Sequence, residues 1–98
     1  MKYTEKSLLA TLEFIDSLNK DRNLTEQLKM KEINLTNVND IFLFANNGCK
    51  INLGGIESLH EDLSILQSLV SEIKSDFAKI EYVDLRFGEP VVKYKWHH

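Results

Sequence analysis

Asp84 and Arg86 are the pair of residues best placed by type and spacing to do chemistry. They stand two apart on an alternating stretch, so a carboxylate and a guanidinium share one face of a strand. A surface ion pair of small energetic weight accounts for them as well as a functional charge pair does. His60-Glu61-Asp62 has the residue types of a metal site, but consecutive residues of a helix point apart and do not converge on one ion. Acidic residues in a first helical turn are better explained as complements to the helix dipole. Cys49 follows a hairpin turn and reads as a small core hydrophobe rather than a nucleophile. No Ser/His/Asp set, no glycine loop for phosphate and no metal-ligand spacing is present in the chain. The sequence therefore predicts no catalytic residue, no cofactor and no metal, and the chain is not expected to be an enzyme.

The chemistry that remains belongs to the backbone. Ile80-Glu-Tyr-Val-Asp-Leu-Arg-Phe87 alternates with period two, placing Val83, Leu85 and Phe87 on one face and Tyr82, Asp84 and Arg86 on the other. Gly88-Glu89-Pro90 interrupts it, and Val91-Val-Lys-Tyr-Lys95 is expected to form a further strand left uncovered at the sheet's edge. Such an edge carries unpaired N–H and C=O groups, which must be blunted or paired with a partner.

Several elements must position that edge. Leu8, Leu12, Ile15 and Leu18, widened by Leu9, predict an amphipathic helix from about Thr4 to Asn19. A polar break over residues 20–23 and an irregular or helical turn over residues 24–29 then lead into an extended run from Met30 to Leu35. Asn47-Gly48 predicts a two-residue type I′ hairpin. With Asn46 opposite Cys49, that turn pairs Phe44 with Ile51 and Phe42 with Leu53 on one buried face. Ser58, with Glu61 three residues on, has the signature of a capping box. Leu59, Leu63, Leu66, Val70, Ile73 and Phe77 mark the helix that follows. The expected fold is α+β, with two helices on one face of an antiparallel sheet in the order helix, three-strand meander, helix, one or two C-terminal strands. Its expected core is Leu12, Ile15, Phe42, Phe44, Ile51, Leu53, Leu63, Leu66, Val70, Ile73 and Leu85.

Length and composition limit the partners. A chain of 98 residues builds one core, and the expected domain is 1–96, with His97 and His98 read as a tag remnant. Hydrophobic content of 43% with 28% charged residues is that of an ordinary globular protein. No apolar run reaches the roughly 20 residues of a membrane span, so no membrane contact is expected of this segment. A net charge of −3 argues against nucleic acid as the main partner. The N-terminal residues lack the apolar core of a signal peptide.

Taken in order, Phe42-Leu-Phe-Ala-Asn-Asn-Gly48, Ile51-Asn-Leu-Gly54, a leucine-rich helix and Tyr82-Val-Asp-Leu-Arg-Phe87 resemble the membrane-distal extracytoplasmic domain of the bacterial division family FtsQ/DivIB. The likeness runs from about Leu8 to Lys95. Each word is common alone, and their order and spacing are much less so. Asp62 stands where the family often has Lys before Leu, and no long tail follows Lys95.

The resemblance implies a non-catalytic divisome scaffold outside the cytoplasmic membrane, anchored in the parent protein by a single transmembrane helix. It implies partners of the FtsB/DivIC and FtsL types docked on the last strand. The matching residues are Phe87, Val91, Val92, Lys93 and Tyr94, which would receive a partner by β-strand addition. On the residues alone, Val92 and Tyr94 simply finish the core. Two alternatives stand beside the docking reading: a small ligand-binding α+β domain, and a module that self-associates as a homodimer through the same edge strand.

Overall fold

The structure, a computed structural model, describes residues 4–46, 48–73, 79–87 and 89–95. Helix α1 runs Glu5–Lys20 and helix α2 Arg22–Leu28, followed by strands β1 Met30–Asn34, β2 Ile41–Ala45 and β3 Lys50–Gly54. A 3-10 turn at Ile56–Ser58 leads into α3 Leu59–Ile73, and strands β4 Ile80–Asp84 and β5 Val91–Tyr94 complete the order. The five strands form one sheet in sequence order, antiparallel everywhere except between β3 and β4, which run parallel. A parallel neighbour requires a crossover rather than a hairpin, and α3 supplies it. The expected all-antiparallel sheet with two helices is thus corrected to three helices and one parallel pair, within the expected α+β class.

The additional helix has a local cause. Asp21 ends α1 and caps α2, its carboxylate accepting the Leu24 N–H at 3.1 Å. The same side chain accepts the Gln67 amide at 2.8 Å, tying the corner to α3. Lys29 ends α2 in the left-handed region with φ 41. At the front of α1, Thr4 and Ser7 cap reciprocally: the Ser7 N–H donates to Thr4 Oγ1 and the Thr4 N–H to Ser7 Oγ. The box expected at Ser58 does not form. Its hydroxyl lies 3.1 Å from both the Gly55 carbonyl and the Asp62 carboxylate, and a 3-10 turn precedes the helix.

The hairpin register differs from the expected one by a single step. Leu43 pairs with Ile51, Phe42 with Asn52 and Phe44 with Lys50. The Gly48 N–H donates to the Ala45 carbonyl at 3.0 Å and the Ala45 N–H to the Cys49 carbonyl at 2.8 Å, so three residues rather than two separate the paired ends. One extra loop residue exchanges the faces of a strand. Leu43, Ile41, Ala45, Ile51 and Leu53 are accordingly buried, while Phe42 and Phe44 are half-buried on the opposite face, edge to face at 5.5 Å. Gly48 still adopts φ +93, and a Cβ there would meet nothing within 4 Å. Gly48→Val is therefore expected to cost about 1–2 kcal/mol from backbone strain alone, read as a lowered midpoint in chemical denaturation.

Register carries one apolar row across the whole sheet: Ile33, Leu43, Ile51, Val83 and Val92. These residues join the core formed with Phe14, Leu18, Leu24, Leu28, Leu59, Leu63, Leu66 and Val70 from the helices. The α3 stripe is buried as its spacing predicts from Leu59 to Val70 and half-buried at Ile73, while Phe77 lies outside the described residues. Helix α1 is rotated from the expected phase. Thr11, Phe14 and Leu18 face inward, Ile15 is half-buried, and Leu12 is 60% exposed, with Leu8 and Leu9 also outside. Two stripes compete on α1, and the one carrying Thr11, Phe14 and Leu18 is the one buried, with Phe14 and Leu18 joining the core to which α2 and α3 contribute.

Candidate functional site

Among the described residues strand β5 pairs on one side only, with β4, through Ile80–Tyr94, Tyr82–Lys93, Val83–Val92 and Asp84–Val91, with a bulge in β4 between Ile80 and Tyr82. The Lys95 N–H donates to the Lys79 carbonyl at 2.7 Å. Alternation along an antiparallel strand then turns the N–H and C=O groups of Val92 and Tyr94 away from β4, toward the open edge. Val92 is half-buried at the end of the apolar row, whereas Val91 is 46% and Tyr94 47% exposed. The inward-only account, with Val92 and Tyr94 both in the core, is corrected for Tyr94: no further strand lies beyond it among the described residues to cover the ring.

Of the five residues singled out from sequence, the structure places Val91, Val92, Lys93 and Tyr94 on β5. Phe87 is in the β4–β5 connection, 72% exposed, with its ring centroid 5.3 Å from the Arg86 guanidinium. Its expected place on the apolar face beside Val83 and Leu85 is not taken, because β4 ends at Asp84 and the chain turns at Arg86. The Lys93 ammonium lies 4.0 Å from the Glu81 carboxylate and 5.9 Å from the centre of the Tyr82 ring, on the face away from the helices.

The Asp84–Arg86 pair is more built than a loose surface contact. Arg86 Nε and Nη2 donate to the two Asp84 oxygens at 2.9 and 2.7 Å, and the Arg86 N–H donates to Oδ1 at 3.0 Å. Asp84 is buried, and the Arg86 side-chain hydrogen bonds hold its carboxyl below the usual range. The aliphatic stem of Arg86 lies against Gly54, where a Cβ would come within 3.3 Å of Arg86 Cγ. Sequence spacing identified the partners but not the fork, which depends on the turn after β4 bringing the Arg86 backbone and guanidinium to one carboxylate. Together with Lys50, Asn52, Glu81 and Tyr82 the pair lines a shallow groove of about 460 Å³ on the open face of the sheet. Its two best-held charges already satisfy each other.

Asp62 is the other buried carboxylate among the described residues. It sits in the first turn of α3, 3% exposed, and burial pushes its pKa up to about 6, against the opposing Ser58 hydrogen bond. Neighbouring Glu61 adds to the rise. A carboxyl with a raised folded pKa leaves the fold most stable when protonated, and the loss accumulates as pH climbs from about 4 through about 6. Asp62→Asn is accordingly expected to stabilise the protein at pH 8 by on the order of 2 kcal/mol and to change little at pH 4. Denaturation midpoints of both proteins across that range test it. Cys49 is buried with its thiol pushed up to about 11 by burial, a poor nucleophile. Among the described residues no group of His, Cys, Asp and Glu is arranged to hold a metal, and no helix is long and apolar enough to cross a membrane.

A layer of helices over one face of a five-stranded sheet, with β1 and β5 at its edges, defines a small α+β domain. A family model for the C-terminal region of the cell division protein FtsQ/DivIB matches residues 2–86, and the chain belongs to that family. It is a cell-division domain of the divisome, within a family that interacts with other division proteins. No curated protein matches the chain. The matched segment closes at Arg86, so Phe87 and β5 lie just beyond it.

Proposed function

We propose that this domain is the membrane-distal, extracytoplasmic part of a non-catalytic division scaffold, and that it binds septal partners of the FtsB/DivIC and FtsL types by strand addition on β5. The observation that carries the proposal is the contrast between the two edges of the sheet. β1 begins with an irregular register between Met30 and Glu32 and exposes Lys31 and Glu32, the charged and bulged form that discourages pairing. β5 carries its own exposed Lys93, but its run is unbroken, the irregularity of that ladder lying in β4, and it presents Val91 and Tyr94, with Phe87 exposed just before it. An added strand would gain main-chain hydrogen bonds from Val92 and Tyr94 and cover apolar area already half exposed.

Titration of a septal partner against the domain and its Tyr94→Ser variant tests this. A weakening of about tenfold is expected, with the thermal midpoint nearly unchanged because the ring is outside the core. Equal affinities would remove Tyr94 from the interface.

A further inference from the structure

The strand that β5 accepts has a side-chain requirement set by the rows already running across the sheet. On the helix-covered face, Ile33, Leu43, Ile51, Val83 and Val92 stand in line, and a sixth strand continues that line beside Val92. On the open face, the row through Phe44, Lys50 and Tyr82 ends at Lys93. The Lys93 ammonium is more than half exposed, and its Glu81 neighbour lies at the 4.0 Å limit of an ion pair, across a half-exposed contact that contributes little.

A second copy of the chain fits this edge poorly. Antiparallel strands place same-face residues opposite one another, so Val92 of one copy must meet Val92 or Tyr94 of the other, or Tyr94 must meet Tyr94. Pairing Val92 with Tyr94 sets Lys93 against Lys93, and pairing Tyr94 with itself sets Lys93 against Lys95. Like charges directly opposite destabilise a strand pair. Pairing Val92 with itself spares the lysines but sets Tyr94, whose N–H and C=O point outward, against Pro90, which has no N–H to offer.

We propose that β5 selects a different chain, through an extended segment with an acidic residue between two apolar ones. The apolar residues stand opposite Val92 and Tyr94 on the helix-covered face, and the carboxylate stands opposite Lys93 on the open face. This rests on the strand-addition reading above and adds the chemistry of the partner.

Three synthetic peptides of about ten residues, identical except for Glu, Gln or Lys at the position between the two apolar residues, are titrated at low salt. The proteins are the domain and its Lys93→Glu variant, and amide exchange at Val92 and Tyr94 is followed at saturation. The Glu peptide is expected to bind about five- to tenfold more tightly than the Lys peptide, the order to invert in Lys93→Glu, and the difference to shrink as salt is raised. Equal binding of all three with both amides protected would overturn the charge requirement and leave strand addition standing. Binding of none, with neither amide protected at millimolar peptide, would overturn both. Protection of the same amides on concentrating the domain alone would show that a second copy occupies the edge.

Discussion

Val92→Pro is expected to abolish partner binding, with a loss of at least about thirtyfold, while the domain stays folded. The N–H of Val92 points away from β4, so proline removes no hydrogen bond within the chain, and an outward-facing edge position is where a strand tolerates proline. Valine and proline are close in volume, so the half-buried contact at the end of the apolar row is largely kept. For an incoming strand the same change deletes one of the main-chain donors the edge offers and fixes φ near −65°. A lost donor opposite a desolvated carbonyl costs roughly 1–3 kcal/mol, and the altered φ disturbs the neighbouring bond as well. Calorimetric titration of the partner, with a denaturation curve for each protein, separates the two effects. Binding retained within a few-fold would mean that the partner does not pair with β5.

Leu66→Ala is the second large effect expected, about 2–5 kcal/mol of stability. Leu66 has no exposed surface and sits midway along the buried stripe of α3, inside the cluster that joins the helices to the sheet. Shortening it leaves a space that residues from several elements would have to fill together, and close-packed cores relax only in part. Chemical denaturation should show a lower midpoint with an unchanged slope. Leu12→Ala offers the matched comparison: Leu12 is 60% exposed on α1, and its loss should be small. A large loss at Leu12 and a small one at Leu66 would reverse the assigned faces.

What was legible in the sequence follows from how each pattern is fixed. The α3 stripe was readable because one face of that helix alone is apolar, so spacing decides its orientation. On α1 two faces carry apolar residues, and only the packing of Phe14 and Leu18 among α2 and α3 chooses between them. The hairpin was recognised at Asn47-Gly48, but its loop is one residue longer than the dipeptide suggests. Because Ile41 to Ala45 is apolar throughout, no alternation was there to reveal which of Phe42 and Leu43 faces the core. The parallel β3–β4 pair is a property of the crossover and left no mark within either strand. At the edge, composition identified Val91 to Tyr94 as a terminal strand. The outward amides of Val92 and Tyr94 and the exposure of Phe87 depend on register and on where β4 stops, which are tertiary facts. The Asp62 carboxyl reads from sequence as a dipole complement and is buried as well, on the side of α3 that carries Leu59, Leu63 and Leu66, while neighbouring His60 and Glu61 stay exposed.

Amide hydrogen exchange on the domain, alone and saturated with a septal partner, tests the docking edge most directly. Strand addition predicts that the N–H groups of Val92 and Tyr94, open to solvent in the isolated domain, become strongly protected in the complex, while β1 at the opposite edge is unchanged. Saturating partner with no added protection at Val92 and Tyr94, or protection appearing instead along the exposed Leu8–Leu12 face of α1, would contradict it.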